Sequence, residues 1–495
     1  MDLLQRAGLV VGLWVTYHIL LGTYNVFFHP LRRFPGPRLA AATQLVNVYY
    51  IIRGINCKYL YELHEKYGDV VRTGPNELSF RTASAIRTIY GGNPGPDDTF
   101  HKNMIANIQE TGDSDNLFFA TGQQHNRYRR LIMPVFAERT IQGQGPMMQE
   151  YCSQLIQGLR NRCGRGYFPT QDGVVDIVPW THFIISDILS HMLFGSGMNC
   201  LLNGDYHPWV MAGYKALIES TYIEAAHRLR PYHRILEYLL IPTRLRDGFR
   251  VHSAVSREKL QARSKEAEPY QFSLPSFTSE SLSEQELFDN INVIATAAGE
   301  TTSSALSAIM YYLTANPAAY DKAVTEVRQA FSNEAEITAA SSASLPYLKA
   351  VIREAFRIRP TIPVGLHRLT PKGGREIDGK WVPAGTWISV ANLAACRTSS
   401  HWKEAGRFIP ERWLGDPEFA SDNRDTSVPY SIGVRNCIGM SHANTQLRLI
   451  LSRLLWNFDF EACPGNADPY DYLEYGTWQV EPLKLRVVDI RGQPK

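Results

Sequence analysis

The sequence predicts a mainly α-helical protein with a minor β region, held behind an N-terminal transmembrane helix. Three stretches point there. From Ala7 to Phe28 the chain carries no charged residue, and its apolar side chains are numerous enough for a helix that crosses a bilayer. At Ser283-Glu284-Gln285-Glu286 the spacing of a capping box opens a helix. Asn316-Pro317 should close it, which gives about 30 residues and a length of about 45 Å. Beyond Gly439, the apolar residues Ala443, Leu447, Ile450, Leu451 and Leu454 recur at helical spacing.

The first of these stretches is open to other readings, since a cleaved signal peptide or a buried core helix also presents an apolar run. A signal peptide has a shorter apolar core and a small-residue cleavage site, and neither stands out here. Arg32, Arg33 and Arg38 follow the run, whereas only Arg6 precedes it, beside Asp2. The positive-inside rule then puts the rest of the chain on the cytoplasmic side. Pro30, Pro35, Gly36 and Pro37 read as a stiff, extended hinge. No later linker or internal repeat divides the 495 residues, so the division is residues 1–29 as anchor, 30–43 as hinge and 44–495 as one large unit.

With 51 basic and 48 acidic residues the net charge is +3, a near balance that gives no reason to invoke nucleic acid. The seven cysteines are scattered and never form Cys-x-x-Cys. A disulfide framework or zinc site is therefore not expected, and a reducing compartment is.

Along the remaining chain, residues 72–81 alternate loosely and suggest an early hairpin. Gly92 to Gly122, rich in Gly, Pro, Asp and Asn, reads as a long loop of the kind that forms lids or binding walls. His125, Arg127, Arg129 and Arg130 open a helix interrupted at Pro134; a solvated basic face is the ordinary reading of such a run. Thr140 to Glu266 is mostly helical, with Trp180, Phe183, Ile184, Ile188 and Leu193 on one face, and Glu266 to Ser276 reads as a surface loop. The centre of the long helix is Ala297-Ala298-Gly299-Glu300-Thr301-Thr302, small residues that leave room for something flat, with an acid and a hydroxyl set into an apolar run. Glu354 and Arg357, three apart on a helix that starts at Pro346, are ordinarily a surface bridge of little worth. Thr361 to Arg368 is extended and apolar. Ile377-Asp378-Gly379-Lys380 and Pro383-Ala384-Gly385 supply hairpin turns.

The centre of the protein is Pro429-Tyr430-Ser431-Ile432-Gly433-Val434-Arg435-Asn436-Cys437-Ile438-Gly439. A lone cysteine is usually a small buried hydrophobe. Here Gly433 and Gly439 bracket it, as glycine does where backbone must lie close to a ligand. A helix start follows at once, which favours the thiolate that ligates metal.

This loop resembles the haem-ligand loop of the cytochrome P-450 family, Phe-x-x-Gly-x-Arg-x-Cys-x-Gly, with Tyr430 where the pattern has Phe. The run Tyr24 to Thr43 is similar to the membrane-proximal segment of microsomal P-450s from filamentous fungi, and the chain as a whole is similar to trichothecene-pathway hydroxylases. The resemblance implies a P-450 fold holding haem b (iron protoporphyrin IX), with Cys437 as the axial thiolate that pushes electron density onto the iron. The tyrosine hydroxyl is then expected to alter hydrogen bonding near that sulfur.

The same resemblance assigns His125, Arg129 and Arg368 to the haem propionates, a task that suits the planar arginine fork, and adds Arg435 to the cofactor set. It makes Glu300 and Thr301 the proton-delivering pair, with Ala298 in place of the usual glycine. Glu354, Arg357 and Arg412 of Pro410-Glu411-Arg412-Trp413 become a structural lock beneath the haem. Substrate is to be met by the Gly92–Gly122 loop, by Tyr206 to Tyr232, by Thr361 to Arg368 and by Tyr475 to Trp478. Cys396-Arg397-Thr398 departs from the family's common His-Arg-Asp.

The implied function is a monooxygenase in fungal secondary metabolism. It inserts one oxygen atom of O2 into an apolar terpenoid or polyketide, with electrons from NADPH-cytochrome P-450 reductase. The implied location is the endoplasmic reticulum membrane, crossed once, with the catalytic domain in the cytoplasm. A P-450-fold isomerase, dehydratase or peroxide-driven enzyme remains an alternative, as does a haem-binding sensor without turnover.

Overall fold

The computed structural model describes residues 3–92, 100–103, 116–163, 173–263, 270–278 and 281–492. Its first helix, Leu3–Phe27, leaves most of its apolar side chains exposed, Leu13 and Leu20 among them. A second helix apolar enough to cross a membrane, Ile177–Phe194, is instead mostly buried, and forms part of the core.

The proline-rich segment differs from the extended hinge the sequence suggests. Pro30–Arg33 is a 3-10 turn and Arg38–Ala42 a short helix. Proline is tolerated at the first position of a helix, where its missing N–H has no partner to lose. Asn25 reaches the Ala42 carbonyl (3.2 Å), and the Arg72 N–H donates to Pro35 O (2.7 Å). The segment is thus bonded both to the first helix and to the sheet.

That sheet has five strands, in the order Val70–Gly74, Glu77–Phe80, Trp387–Val390, Arg368–Leu369, His101–Lys102. The expected early hairpin is its first pair. Glu77–Phe80 and Trp387–Val390 run parallel, and the other neighbours antiparallel. Arg375–Ile377 and Lys380–Val382 form a separate hairpin. Asp378 (φ 51°) and Gly379 (φ 68°) close it, the two positive φ values a tight primed turn requires.

The helical body is built around Glu284–Thr314, 31 residues long. Its capping box is present: Glu286 N–H donates to Ser283 Oγ (3.2 Å), and Ser283 N–H to Glu286 Oε2 (2.9 Å). It packs beside Ile177–Phe194, where the hydroxyls of Thr181 and Ser307 bond at 2.8 Å. The largest core cluster draws on these two helices together with Glu138–Cys163, Pro346–Ile358 and Met440–Asn457.

Two expected loops fall partly outside the described residues. Of Gly92–Gly122, residues 93–99 and 104–115 are not described; the rest includes the strand His101–Lys102. Of Glu266–Ser276, residues 266–269 are not described, and the end is not loop but the start of a short helix, Leu274–Thr278.

Candidate haem-thiolate site

The cysteine loop is shaped by two residues in the left-handed region, Ser431 (φ 57°) and Gly433 (φ 76°). A Cβ on Gly433 would collide with the carbonyl oxygen of Tyr90, so only glycine fits there. Gly439 has no such protein neighbour: its φ is −84°, and an added Cβ meets nothing closer than 3.9 Å within the protein. The loop is closed by Asn436 N–H to Gly433 O (3.1 Å) and Cys437 N–H to Tyr430 O (2.9 Å).

Cys437 is itself exposed, yet desolvation around its sulfur raises the thiol pKa, opposed by the Gly439 N–H and by Arg129. The helix start therefore does not by itself make the thiolate. Coordination to a metal ion would, since a ligating thiol loses its proton outright.

Basic side chains from separate segments gather around this loop. Arg129, on helix Gly122–Ile132, donates to Asn436 O (2.9 Å) and to Asn436 Oδ1, and so grips the loop one residue before the cysteine. Arg435 donates to Ala120 O. Buried Arg368 donates to His367 O (3.0 Å) and lies 5.3 Å from the Tyr90 ring centroid. Lys102, which the sequence did not single out, is buried with its ammonium on Phe118 O and 3.3 Å from that ring's centroid.

Crowding is visible in the titration of these groups. Desolvation, then Arg368 and Arg435, depress Lys102. Desolvation, then Arg435, lower His125 to about 4. The acceptors described for Lys102, Arg129 and Arg368 are carbonyl oxygens and Asn436, not carboxylates. Buried cations without acids are costly, and a ligand bearing carboxylates, as haem does, fits this environment.

Tyr430 keeps the aromatic ring of the loop, 5.5 Å from that of Phe356. Its hydroxyl donates to Asn444 Oδ1 (3.1 Å) rather than to the sulfur.

In the long helix, Thr301 Oγ1 donates to Ala297 O (2.7 Å), one turn back. Glu300, its neighbour, points to His182 of Ile177–Phe194, with Oε2 3.4 Å from Nε2.

Glu354 and Arg357 are fully buried, which overturns the ordinary reading of a surface bridge. Arg357 donates to both Glu354 oxygens at 2.8 Å. Arg412 Nε (3.0 Å), Trp413 Nε1 (2.9 Å) and Ile409 N–H (2.9 Å) complete the carboxylate's shell. Arg412 also pairs with buried Asp422, a partner the sequence did not reveal. The remaining Arg357 donors go to the carbonyls of Cys396, Ala405 and Arg407.

The expected roof is the helix Pro208–His227. It meets the expected last turn directly, since Tyr222 stacks on Tyr475 at 5.9 Å. That turn is tied to the end of Pro346–Ile358 by Trp478 Nε1 to Pro360 O (2.8 Å).

Comparison with known proteins agrees with this geometry. The family model described as cytochrome P-450 matches residues 35–475. The chain is 50% identical over 481 residues to the cytochrome P-450 monooxygenase lnbC of Aspergillus flavus, covering 97% of this chain and 95% of that one. It is 33% identical to averantin hydroxylase of Dothistroma septosporum, with 97% and 90% covered. Against trichothecene C-15 hydroxylase of Fusarium sporotrichioides identity is 33%, with 96% and 97% covered.

Proposed function

The chain belongs to the cytochrome P-450 family of haem-thiolate monooxygenases, and from that premise we propose that it hydroxylates or epoxidises an apolar terpenoid or polyketide of fungal secondary metabolism. NADPH-cytochrome P-450 reductase is its electron donor. The exposed apolar helix Leu3–Phe27 is the anchor in the endoplasmic reticulum membrane, with the catalytic body on the cytoplasmic side.

The observation that carries the reading is the gathering of Arg129, Arg368, Lys102 and His125 around Arg435 of the cysteine loop, with Arg129 acting on Cys437 itself, which suits the propionates of haem b beside an axial sulfur. When bound, the haem supplies dioxygen activation and transfer of one oxygen atom. The chain's residues have separate tasks. Cys437 gives the sulfur, and Gly433, Tyr430 and Arg129 hold its loop. Arg435 and Gly439 complete the contact surface of the loop. Arg368, Arg129 and His125 bind carboxylates; His125, neutral at pH 7 without them, serves as a hydrogen-bond donor. Glu354, Arg357 and Arg412 hold the scaffold beneath the loop. Thr301 Oγ1 and Glu300 deliver protons from the long helix. The stacked rings of Tyr222 and Tyr475 belong to an aromatic roof suited to apolar substrate.

Purified protein with reductase and NADPH tests this. Thr301→Ala should retain haem and substrate affinity while product per NADPH falls and hydrogen peroxide per NADPH rises, because a positioned proton donor is worth roughly 10²–10⁴-fold in such transfers. Unchanged coupling in Thr301→Ala and in Thr301→Ala/Thr302→Ala would overturn the relay and favour an isomerase or peroxide-driven enzyme.

A further inference from the structure

Behind Glu300, on the side of the long helix facing Ile177–Phe194, lies a cavity of about 30 Å³ lined in part by His182, Ser186, Tyr214, His252, Glu300 and Ser303. A water needs ~10–15 Å³ of such space and two or more polar partners, and this cavity offers both. Three buried atoms of its lining residues have no hydrogen-bond partner among the described residues, Glu300 Oε1, His182 Nε2 and His252 Nε2. The His182 Nε2 to Glu300 Oε2 separation of 3.4 Å is loose for a direct bond, and the orphaned atoms leave polar positions for a water in the cavity. On its other side the His182 ring is held by Tyr206, with Nδ1 and the hydroxyl 2.8 Å apart. Tyr206 is only half-buried, and its neighbour Asp205, whose Oδ1 accepts from the Tyr206 N–H at 2.7 Å, is exposed. The line Tyr206, His182, cavity, Glu300 runs from a half-buried side chain to the centre of the long helix.

We propose that Tyr206 and His182 are the inlet through which Glu300 regains the proton it gives up, a role that rests on the reading of Glu300 and Thr301 as proton donors. Each transfer moves one proton and no electrons. Protonated Glu300 releases its O–H proton toward the Thr301 hydroxyl. The carboxylate left behind takes a proton from His182 Nε2–H across the cavity water. The ring regains one at Nδ1 from Tyr206 Oη–H, and the tyrosine regains its own from solvent. Rotation of the ring resets the tautomer.

The other groups facing the cavity do not compete. Burial lowers His252, on Gly248–Arg263, to about 4, so it stays neutral near pH 7. Burial, then the Glu300 charge, raise Tyr214, which keeps its proton. Arg359, behind Glu300 and influenced by it, has its pKa lowered by burial to about 10 and remains a cation.

The test uses the haem-loaded enzyme with reductase and NADPH. In His182→Phe, product per NADPH should fall about tenfold and peroxide rise to match, with a larger solvent isotope effect on product formation. Haem content, melting temperature and the substrate-induced spectral change should hold. Tyr206→Phe, which keeps the ring and removes one hydroxyl, should show the same effects in smaller measure. A second readout is independent of turnover: in histidine-labelled enzyme, the His182 ring titration followed by NMR should shift on Glu300→Gln. Unchanged coupling and isotope effect in both variants would overturn the inlet, as would a His182 titration blind to Glu300. Failure of the unmodified enzyme to make any NADPH-dependent product would overturn the monooxygenase reading instead, leaving the NMR titration to decide whether the two groups share a proton.

Discussion

At residue scale, the loop separates side chains that shape it from those that only line it. Gly433 has a positive φ and a carbonyl where a Cβ would go. Gly433→Ala therefore has to move the loop, and the expected outcome is loss of most haem binding together with a lowered melting temperature. Gly439→Ala should leave the melting temperature of the haem-free chain unchanged, since no protein atom lies within 3.9 Å of the new methyl. Any loss there appears only in haem content. Equal destabilisation by the two substitutions would contradict this division. Tyr430 makes a similar point. Its sequence position suggests a hydroxyl near the sulfur, whereas the structure sends that hydroxyl to Asn444. Tyr430→Phe should cost about 1 kcal/mol, read as a small fall in melting temperature, with the reduced carbon monoxide band unmoved. Cys437→Ser should abolish the red-shifted form of that band.

At the scale of elements, the lock around Glu354 joins the helix Pro346–Ile358 to the Pro410–Trp413 turn. Five donors share one buried carboxylate. Glu354→Ala leaves Arg357 without its acid and should cost roughly 3–5 kcal/mol, a large share of a typical domain's stability; full haem content with normal melting would contradict it. The lock also shows what a sequence reveals. The capping box at Ser283 and Glu286 and the tight turn at Asp378 and Gly379 are written in residues three or fewer apart, so local rules found both. Glu354 and Arg357 are adjacent on one helix face, but nothing local distinguishes a buried pair from an exposed one, and only the family resemblance supplied Arg412. Asp422 and Lys102 escaped notice, as did the bond of Trp413 to Glu354, because long-range packing creates these partnerships. Arg129 and Asn436 lie 307 residues apart, and His182 meets Glu300 only because two helices cross.

At the scale of the whole molecule, burial of titratable groups sets how stability responds to pH. Desolvation lowers His64, His252 and His442 to about 4 from 6.5. Each is neutral in the folded chain and charges more readily when unfolded, so between pH 4 and 6.5 the unfolded state binds more protons and stability rises with pH. The gain is up to roughly 3 kcal/mol per ring, complete above pH 6.5. Glu474 opposes it. Its carboxyl is buried beside the last turn, accepting from Gly476 N–H (2.7 Å), and desolvation raises it from 4.5 to about 7. The folded state therefore binds the extra proton between pH 4.5 and 7, and stability falls with pH through that window. Three rings outweigh one carboxyl, so the melting temperature of the haem-loaded enzyme should climb from pH 4.5 to 6.5 and then level. Glu474→Gln keeps an oxygen for the Gly476 N–H and removes the titration. It should be neutral at pH 4 and stabilising at pH 7.5 by up to roughly 3 kcal/mol, which steepens the climb. A melting temperature flat between pH 4.5 and 6.5, or a Glu474→Gln effect equal at both pH values, would contradict this balance.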